Sequence, residues 1–280
     1  MNDDTAKTIQ EQNDREQRLH ELLAVSPVHI LTGVVGPNGA IGFQLQGQTD
    51  WTLIIPLVAW RFEGENARQT DLTLRQRVSE DQFESLRQKI LPYNVGRVRA
   101  RVALENELGT PHGLLEAILD PDPETADLKQ IVTELRKRVA VNAPPFGELV
   151  LDRSVNWFTG KAQWNHTSIE VQFSPDASGS IDKPLAIARA IWSDQFRWEE
   201  RAKDKAIEDY LETKNSHWLE DGQSPLTADD VRSLLKTESI TFNQDGTFEF
   251  WCDESDIFGG HSISIACDLA RGPFQATLEG

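Results

Sequence analysis

Cysteine is almost absent from this chain: Cys252 and Cys267 are the only two in 280 residues, and they form no Cys-x-x-Cys pair. Such usage excludes a disulfide framework and a zinc ribbon, and two thiols set among apolar strand residues read as reduced core side chains. Long apolar runs are missing too. The opening residues, Met1-Asn2-Asp3-Asp4, are acidic, so neither a spanning helix nor a signal peptide is expected. Positive charge is scarce: 28 Lys and Arg stand against 45 Asp and Glu, a formal charge of −17. That balance repels nucleic-acid phosphates and anionic membranes. The expected setting is cytoplasmic, with no nucleic-acid and no membrane partner, and with a cationic protein as the partner that electrostatics would select.

Familiar chemistry-bearing motifs are absent as well. Gly33-x-x-Gly36-x-x-Gly39-x-x-Gly42 has neither the dinucleotide-binding spacing nor the lysine of a phosphate loop, and there is no His-Glu-x-x-His or Asp-x-Asp-x-Asp-Gly run. No cofactor and no metal is expected.

What is present suits a folded protein: 39% of residues are hydrophobic and 26% are charged. A chain of this length favours two domains. Asn142-Ala143-Pro144-Pro145 cannot continue a helix, which places the boundary there and gives domains 1–145 and 146–280. The first carries 16 basic and 21 acidic residues, the second 12 and 24, so their charges are −5 and −12.

The first domain reads as a solvated helix to about Leu23, docking by Leu19, Leu22 and Leu23, followed by a smaller, β-rich α+β unit. Its expected strands are Val28 to Val35 and Ala40 to Leu45, joined by Gly36-Pro37-Asn38-Gly39 as a hairpin, then Trp51 to Trp60 and Leu72 to Val78. Ser79-Glu80-Asp81-Gln82 is a capping box opening a helix with Phe83, Leu86 and Ile90 on one side. Val98, Ala100 and Val102 alternate with Arg97, Arg99 and Arg101, a strand with a basic outer face that, with Arg75 and Arg77 nearby in sequence, forms a basic patch for an anionic ligand or, the preferred reading, for docking against the acidic second half of the chain. Helices are expected near Leu114 to Leu119 and over Glu124 to Arg138.

The second domain reads strands, helices, strands. The expected strands are Glu148 to Leu151, Val155 to Phe158, Lys161 to Trp164 and Ser168 to Phe173, with Thr159-Gly160 and Asn165-His166 as turns. Asp182 caps a helix with Pro184 in its first turn. A longer helix carries Trp198, Ala202, Ala206 and Tyr210, and Thr227 to Asp230 caps a short one. This order argues for an antiparallel sheet with its helices on one face, an α+β architecture. The chain ends in strands. Ile240 and Phe242, then Phe248, Phe250 and Cys252, have the period of two that marks half-buried strands. A loop Gln244-Asp245-Gly246 puts Phe242 opposite Phe248 and Ile240 opposite Phe250, which predicts a type I turn with Gly246 left-handed. In the next strand Ile263, Ile265 and Cys267 share the parity of His261, which sets the imidazole at the rim of the apolar face.

Phe146-Gly147, Leu149-x-Leu151-Asp152-Arg153, Trp157-Phe158, Trp164, Asn215-x-x-Trp218, Gly246-x-Phe248-Glu249-Phe250-Trp251 and Asp256-x-Phe258-Gly259-Gly260-His261-Ser262-Ile263 together resemble an uncharacterised bacterial family, domain of unknown function 2262. The resemblance covers roughly the second half of the chain, and Gly259 stands where an aromatic, usually Trp, is common. It implies no activity; by loose analogy it points toward small bacterial α+β immunity proteins.

The best local cluster of polar chemistry is His261 with Asp253, Glu254 and Asp256, a candidate general base with carboxylates or a cation site. Against it stands a tight Gly259-Gly260 turn with solvated acids and a histidine bonded at the sheet edge. Candidate binding residues are Trp218, Asn215, Phe258, Gly260 and Trp251, with Asn215 and Trp218 equally readable as a helix end and a core anchor. The expectation is a non-enzymatic binding protein that neutralises a cationic protein partner in the manner of an immunity protein. The alternative is a hydrolase or metal-dependent enzyme centred on His261 and the loop from Asp253 to Asp256.

Overall fold

A computed structural model describes residues 3–44, 49–120, 125–219, 222–253 and 257–279. The chain divides into two compact units, Met1–Lys137 and Arg138–Gly280, and both mix helix with sheet. Among the described residues no helix is long and apolar enough to cross a membrane.

The first unit runs α1 (Asp3–Val25), β1 (Val28–Val35), β2 (Ile41–Phe43), β3 (Trp51–Phe62), β4 (Leu72–Val78), α2 (Glu80–Lys89), β5 (Val95–Ala103), β6 (His112–Leu119) and α3 (Ala126–Leu135). Its strands pair in the order β1-β5-β6-β4-β3, and β3 returns to β1, so the sheet closes into a five-stranded barrel with β2 appended to β3. Every pairing around the barrel is antiparallel except β4 with β6. A closed five-stranded barrel with that one parallel pair, and a helix between its third and fourth strands, is the architecture of the OB-fold. Closure removes exposed edges and seals a core of Leu31, Leu53, Ile55, Leu74, Val98 and Leu115.

The capping box is in place: Ser79 Oγ accepts from the Gln82 amide while Gln82 Oε1 accepts from the Ser79 amide. The helix it starts drives Phe83 under β2, where the ring stacks on Trp51 with centroids 4.8 Å apart. Gly42 makes this possible, because a Cβ there would sit 2.3 Å from the Phe83 ring.

Two expectations for this unit fail. Leu114 to Leu119 is the body of β6, not a helix; a short apolar run fits either period, and here pairing with β5 decides it. Nor do β1 and β2 form a hairpin. Gly36 donates to the Pro56 carbonyl at 2.7 Å, and the chain turns there so that β2 continues along β3 while β1 pairs with β3 and β5.

The second unit contains β7 (Ala140–Asn142), β8 (Glu148–Asp152), β9 (Trp157–Trp164), β10 (Thr167–Phe173), α4 (Asp182–Trp192), α5 (Gln195–His217), α6 (Ala228–Leu234), β11 (Lys236–Phe242), β12 (Thr247–Asp253), β13 (Ser262–Asp268) and β14 (Gly272–Glu279). Asn142-Ala143-Pro144-Pro145 lies at the turn between β7 and β8, where the Ala143 amide meets the Gly147 carbonyl at 2.8 Å. All eight strands join one sheet in the order β14-β13-β12-β11-β10-β9-β8-β7. It is antiparallel throughout but for β10 with β11, and the crossover that a parallel pair requires is the block of three helices.

Thr159-Gly160 makes no turn. Strand β9 runs straight through, because Gly160 lets Leu149 of β8 lie against the backbone, 2.7 Å from where a Cβ would stand. Asp182 is the first residue of α4 and not its cap, which is Ile181. The C-terminal hairpin has the expected register, Ile240 with Phe250 and Phe242 with Phe248, and Gly246 is left-handed at φ 106°.

One face of the sheet is greasy. Phe173, Phe242, Phe248 and Phe250 are fully buried, and Trp198 of α5 packs edge-on to Phe248 with centroids 5.3 Å apart. Ala202 and Ala206 are buried on the helix that covers them, where small side chains let the backbone approach the strands.

Candidate functional site

The sequence-predicted residues fall in two places, separated by strand parity. On the helix-covered side, α5 ends in Lys214 to Trp218, and the Lys214 Nζ donates to the Trp218 carbonyl at 2.6 Å, satisfying an orphan group of the last turn. Trp218 then meets His261 edge-on, with ring centroids 5.5 Å apart, and Phe258 at 5.9 Å. Tyr210 closes on the other side of Phe258 at 5.9 Å and donates its hydroxyl to the Ala276 carbonyl at 3.3 Å. Asn215 brackets Leu226, donating to its carbonyl at 2.9 Å and accepting from its amide at 2.8 Å. Gly259 and Gly260 are both left-handed, at φ 66° and 86°.

His261, Trp218 and Phe258 are therefore brought together as a fastening between the end of α5 and the loop entering β13, whereas Asn215 ties the end of α5 to Leu226. The imidazole is partly exposed and stands one residue before β13, on the helix-covered side against Trp218. Asp253 ends β12, whereas Glu254 and Asp256 lie outside the described residues. Among the described residues no group of three His, Cys, Asp or Glu side chains could hold a metal ion. Burial pushes the Cys252 thiol up to about 12 and raises Cys267 further, so both are inert core thiols.

Trp251 is elsewhere. It points from β12 to the opposite face of the sheet, between Ser239 of β11 and Ser264 of β13. Among the described residues the helices of the second unit pack on the other face, as Trp198 does on Phe248 and Tyr210 on Phe258, whereas this face is lined by Lys161, Glu170, Gln172, Thr241, Glu249, Trp251, Ser264 and Thr277. Thr241 and Ser264 are nonetheless buried, and the Thr241 hydroxyl donates to Gln172 Oε1 at 3.0 Å. Glu249 is half-buried beside Trp251 on the same strand face, and burial, with added repulsion from Glu279 and Asp245, pushes its carboxyl above the ordinary carboxylate range. Among the described residues neither Glu249 nor Glu279 has an ion-pair partner. A partly buried indole beside an uncompensated carboxylate can take a cation over its ring and against its oxygens.

Of the arginines expected to form a basic patch, Arg75 instead lies in a charged cluster of the first unit with Glu16 and His112, partners that the sequence does not connect to it. Arg75 of β4 meets Glu16 of α1 and lies 3.5 Å from the Nδ1 of His112, while Thr110 Oγ1 stands 3.4 Å from the Nε2 of that ring. His112 is buried, and burial together with the Arg75 charge lowers its pKa to about 4, against a smaller opposing pull from Glu16. The alternation of Leu72, Leu74 and Val78 with Thr73, Arg75 and Arg77 gives the outward direction of Arg75; only the packing of α1 explains its burial. The arginines of β5 are matched within the same unit, Arg99 and Arg101 by Glu116 at 3.2 and 2.9 Å and Arg97 by Glu63 at 2.5 Å.

Comparison with known families divides the chain as its fold does. Residues 143–278 match a family described as an uncharacterised protein conserved in bacteria, domain of unknown function 2262. Residues 16–135 match domain of unknown function 7021. No curated protein matches the chain.

Proposed function

We propose that the protein is a non-enzymatic binding protein of the cytoplasm whose second unit captures a cationic protein partner on the open face of its sheet, as an immunity-type protein would. The observation that carries this reading is Glu249. Its ionised carboxylate is half-buried, repelled by two neighbouring acids and, among the described residues, matched by no cation. A group in that state destabilises the free protein and is relieved by a lysine or arginine brought from outside. Trp251, next to it on the same face, supplies the large aromatic surface around which interface energy concentrates. The chain's charge of −17 speeds encounter with such a partner.

The contacts of His261 favour packing over catalysis: its ring is held against the edge of Trp218. The test is capture by the full chain from a bacterial lysate at low and high salt. A basic protein retained at low salt and released at high salt, and lost by Trp251→Ala and by Glu249→Gln, is the expected result. Equal capture by wild type and both variants would sink the assignment to this face.

A further inference from the structure

In an OB barrel the ligand face is built on the second and third strands, here β3 and β4, although fold likeness by itself assigns no ligand. The residues on that face do. Thr52 points outward from β3, and Arg75 and Arg77 point outward from β4, on the parity opposite to the core residues Leu53, Ile55, Leu72 and Leu74. Arg77 is exposed, but Arg75 is only 8% exposed because α1 lies over it. One terminal nitrogen of its guanidinium holds the Glu16 carboxylate, and the other faces the His112 ring at 3.5 Å. Its Nε is buried and has no hydrogen-bond partner. A cavity of about 30 Å³ opens beside it between Glu16, His20, Thr52, Arg75 and Arg77.

A buried guanidinium with an orphaned Nε is under-satisfied by the single carboxylate oxygen that reaches it. The planar fork of arginine is matched by an oxyanion that presents two oxygens to adjacent N–H groups and keeps further oxygens for Thr52, Arg77 and a histidine ring. We propose that this is a phosphate site, that Glu16 stands in it for the phosphate group of a small phosphorylated ligand, and that the ligand displaces Glu16 from Arg75. Among the described residues, helix α1 is buried at Leu19 and Leu23, and Arg15 and Arg18 make exposed contacts to Glu107, anchoring that is compatible with exchange. A polyanion such as nucleic acid is disfavoured by the charge of the whole chain, whereas a single phosphate group is admitted by the local pair of arginines. This site lies in a different unit from the acidic face and does not depend on it.

The experiment uses the full chain and inorganic phosphate as the probe, against chloride at matched ionic strength. Glu16→Gln is expected to bind phosphate at least ~tenfold more tightly than wild type. The double variant Glu16→Gln, Arg75→Lys should lose that gain, because lysine keeps the charge without the fork. No gain in Glu16→Gln, or an undiminished gain in the double variant, overturns the proposal. Should Glu16→Gln fail to fold, the wild-type chain decides. Movement of the Arg75 Nε–H resonance with phosphate but not with chloride supports the site, and no movement refutes it. A short single-stranded oligonucleotide at equal phosphate concentration is the second arm; tighter binding of it than of inorganic phosphate would overturn the assignment to a small ligand.

Discussion

The two units handle charge in opposite ways. In the barrel, arginine and glutamate side chains are matched across the surface: Arg61 with Asp127, Arg97 with Glu63, Arg99 and Arg101 with Glu116, and Arg75 with Glu16 under a helix. In the sheet unit, the helix side is equally well tied, for Arg232 gathers Glu200, Asp204 and Asp229 and Lys203 pairs with Glu199. The open face is different, because Glu249 and Glu279 lie on it with no cation paired to either among the described residues. Exposed pairs contribute roughly 0–1 kcal/mol each, so the contrast says little about stability. It says more about where the molecule has been left incomplete. Among the described residues, the barrel holds two orphaned donors, Trp60 Nε1 in its core and Arg75 Nε beneath α1, and the sheet has acids that no cation of its own unit neutralises.

The sharpest way to test whether the units stand on separate cores is to empty one. Phe250 is fully buried among Trp164, Phe248 and the helices. Phe250→Ala should cost about 3–5 kcal/mol by the loss of ring contacts and the cavity left behind. Hydrogen exchange should then accelerate across β8 to β14 while the barrel strands keep their protection; uniform loss in both would break the division.

Titration attacks the barrel instead. His112 has a folded pKa of about 4 against an ordinary value of 6.5, so the unfolded chain takes up the proton first as pH falls. The stability linked to His112 is whole above about pH 6.5 and is lost progressively down to about pH 4, a change on the order of 3 kcal/mol. Wild type and His112→Asn, compared by urea unfolding of the barrel across that window, should differ in slope. Parallel curves would show that the imidazole is not held neutral.

Much of this is legible in the sequence. The C-terminal hairpin register followed from which loop length keeps Phe242, Phe248 and Phe250 on one face, and both capping boxes were visible from their spacing. What failed did so where sequence distance hides a neighbour. Leu114 to Leu119 carries no period that separates strand from helix, and only its pairing with β5 resolves it. Gly160 looked like a turn because the close approach of Leu149 cannot be seen from β9 alone. For the candidate sites, parity separates Trp251 from the helix-covered side, but the burial of Arg75 depends on Glu16, 59 residues away, and no local pattern announces it.

Gly42 offers a smaller test in the barrel. A methyl group at that position would meet the Phe83 ring at 2.3 Å, and the ring cannot yield without leaving its stack on Trp51. Gly42→Ala should destabilise by about 1–3 kcal/mol, the usual cost of overpacking. The double variant Gly42→Ala, Phe83→Leu should recover part of it; no recovery would place the strain elsewhere than on that ring.

The least of the expected effects bears most on function, and it has the opposite sign. Glu249 has a raised folded pKa, so its protonated form is favoured by folding; that contribution is present at low pH and is lost as pH rises through and above the ordinary carboxylate range. At neutral pH the ionised side chain therefore weighs against the fold, and Glu249→Gln should stabilise the free protein by a few tenths of a kcal/mol, within the range of surface substitutions. The gain should vanish in acid, where wild type is already neutral at that position. A residue that lowers stability yet is needed to hold a cationic partner is the pattern of a binding surface, whereas a glutamate that supports the fold at neutral pH is structural. Unfolding free energies of the two proteins at neutral and at acid pH separate these outcomes. Destabilisation by Glu249→Gln at neutral pH would remove the physical basis for assigning the open face to a partner.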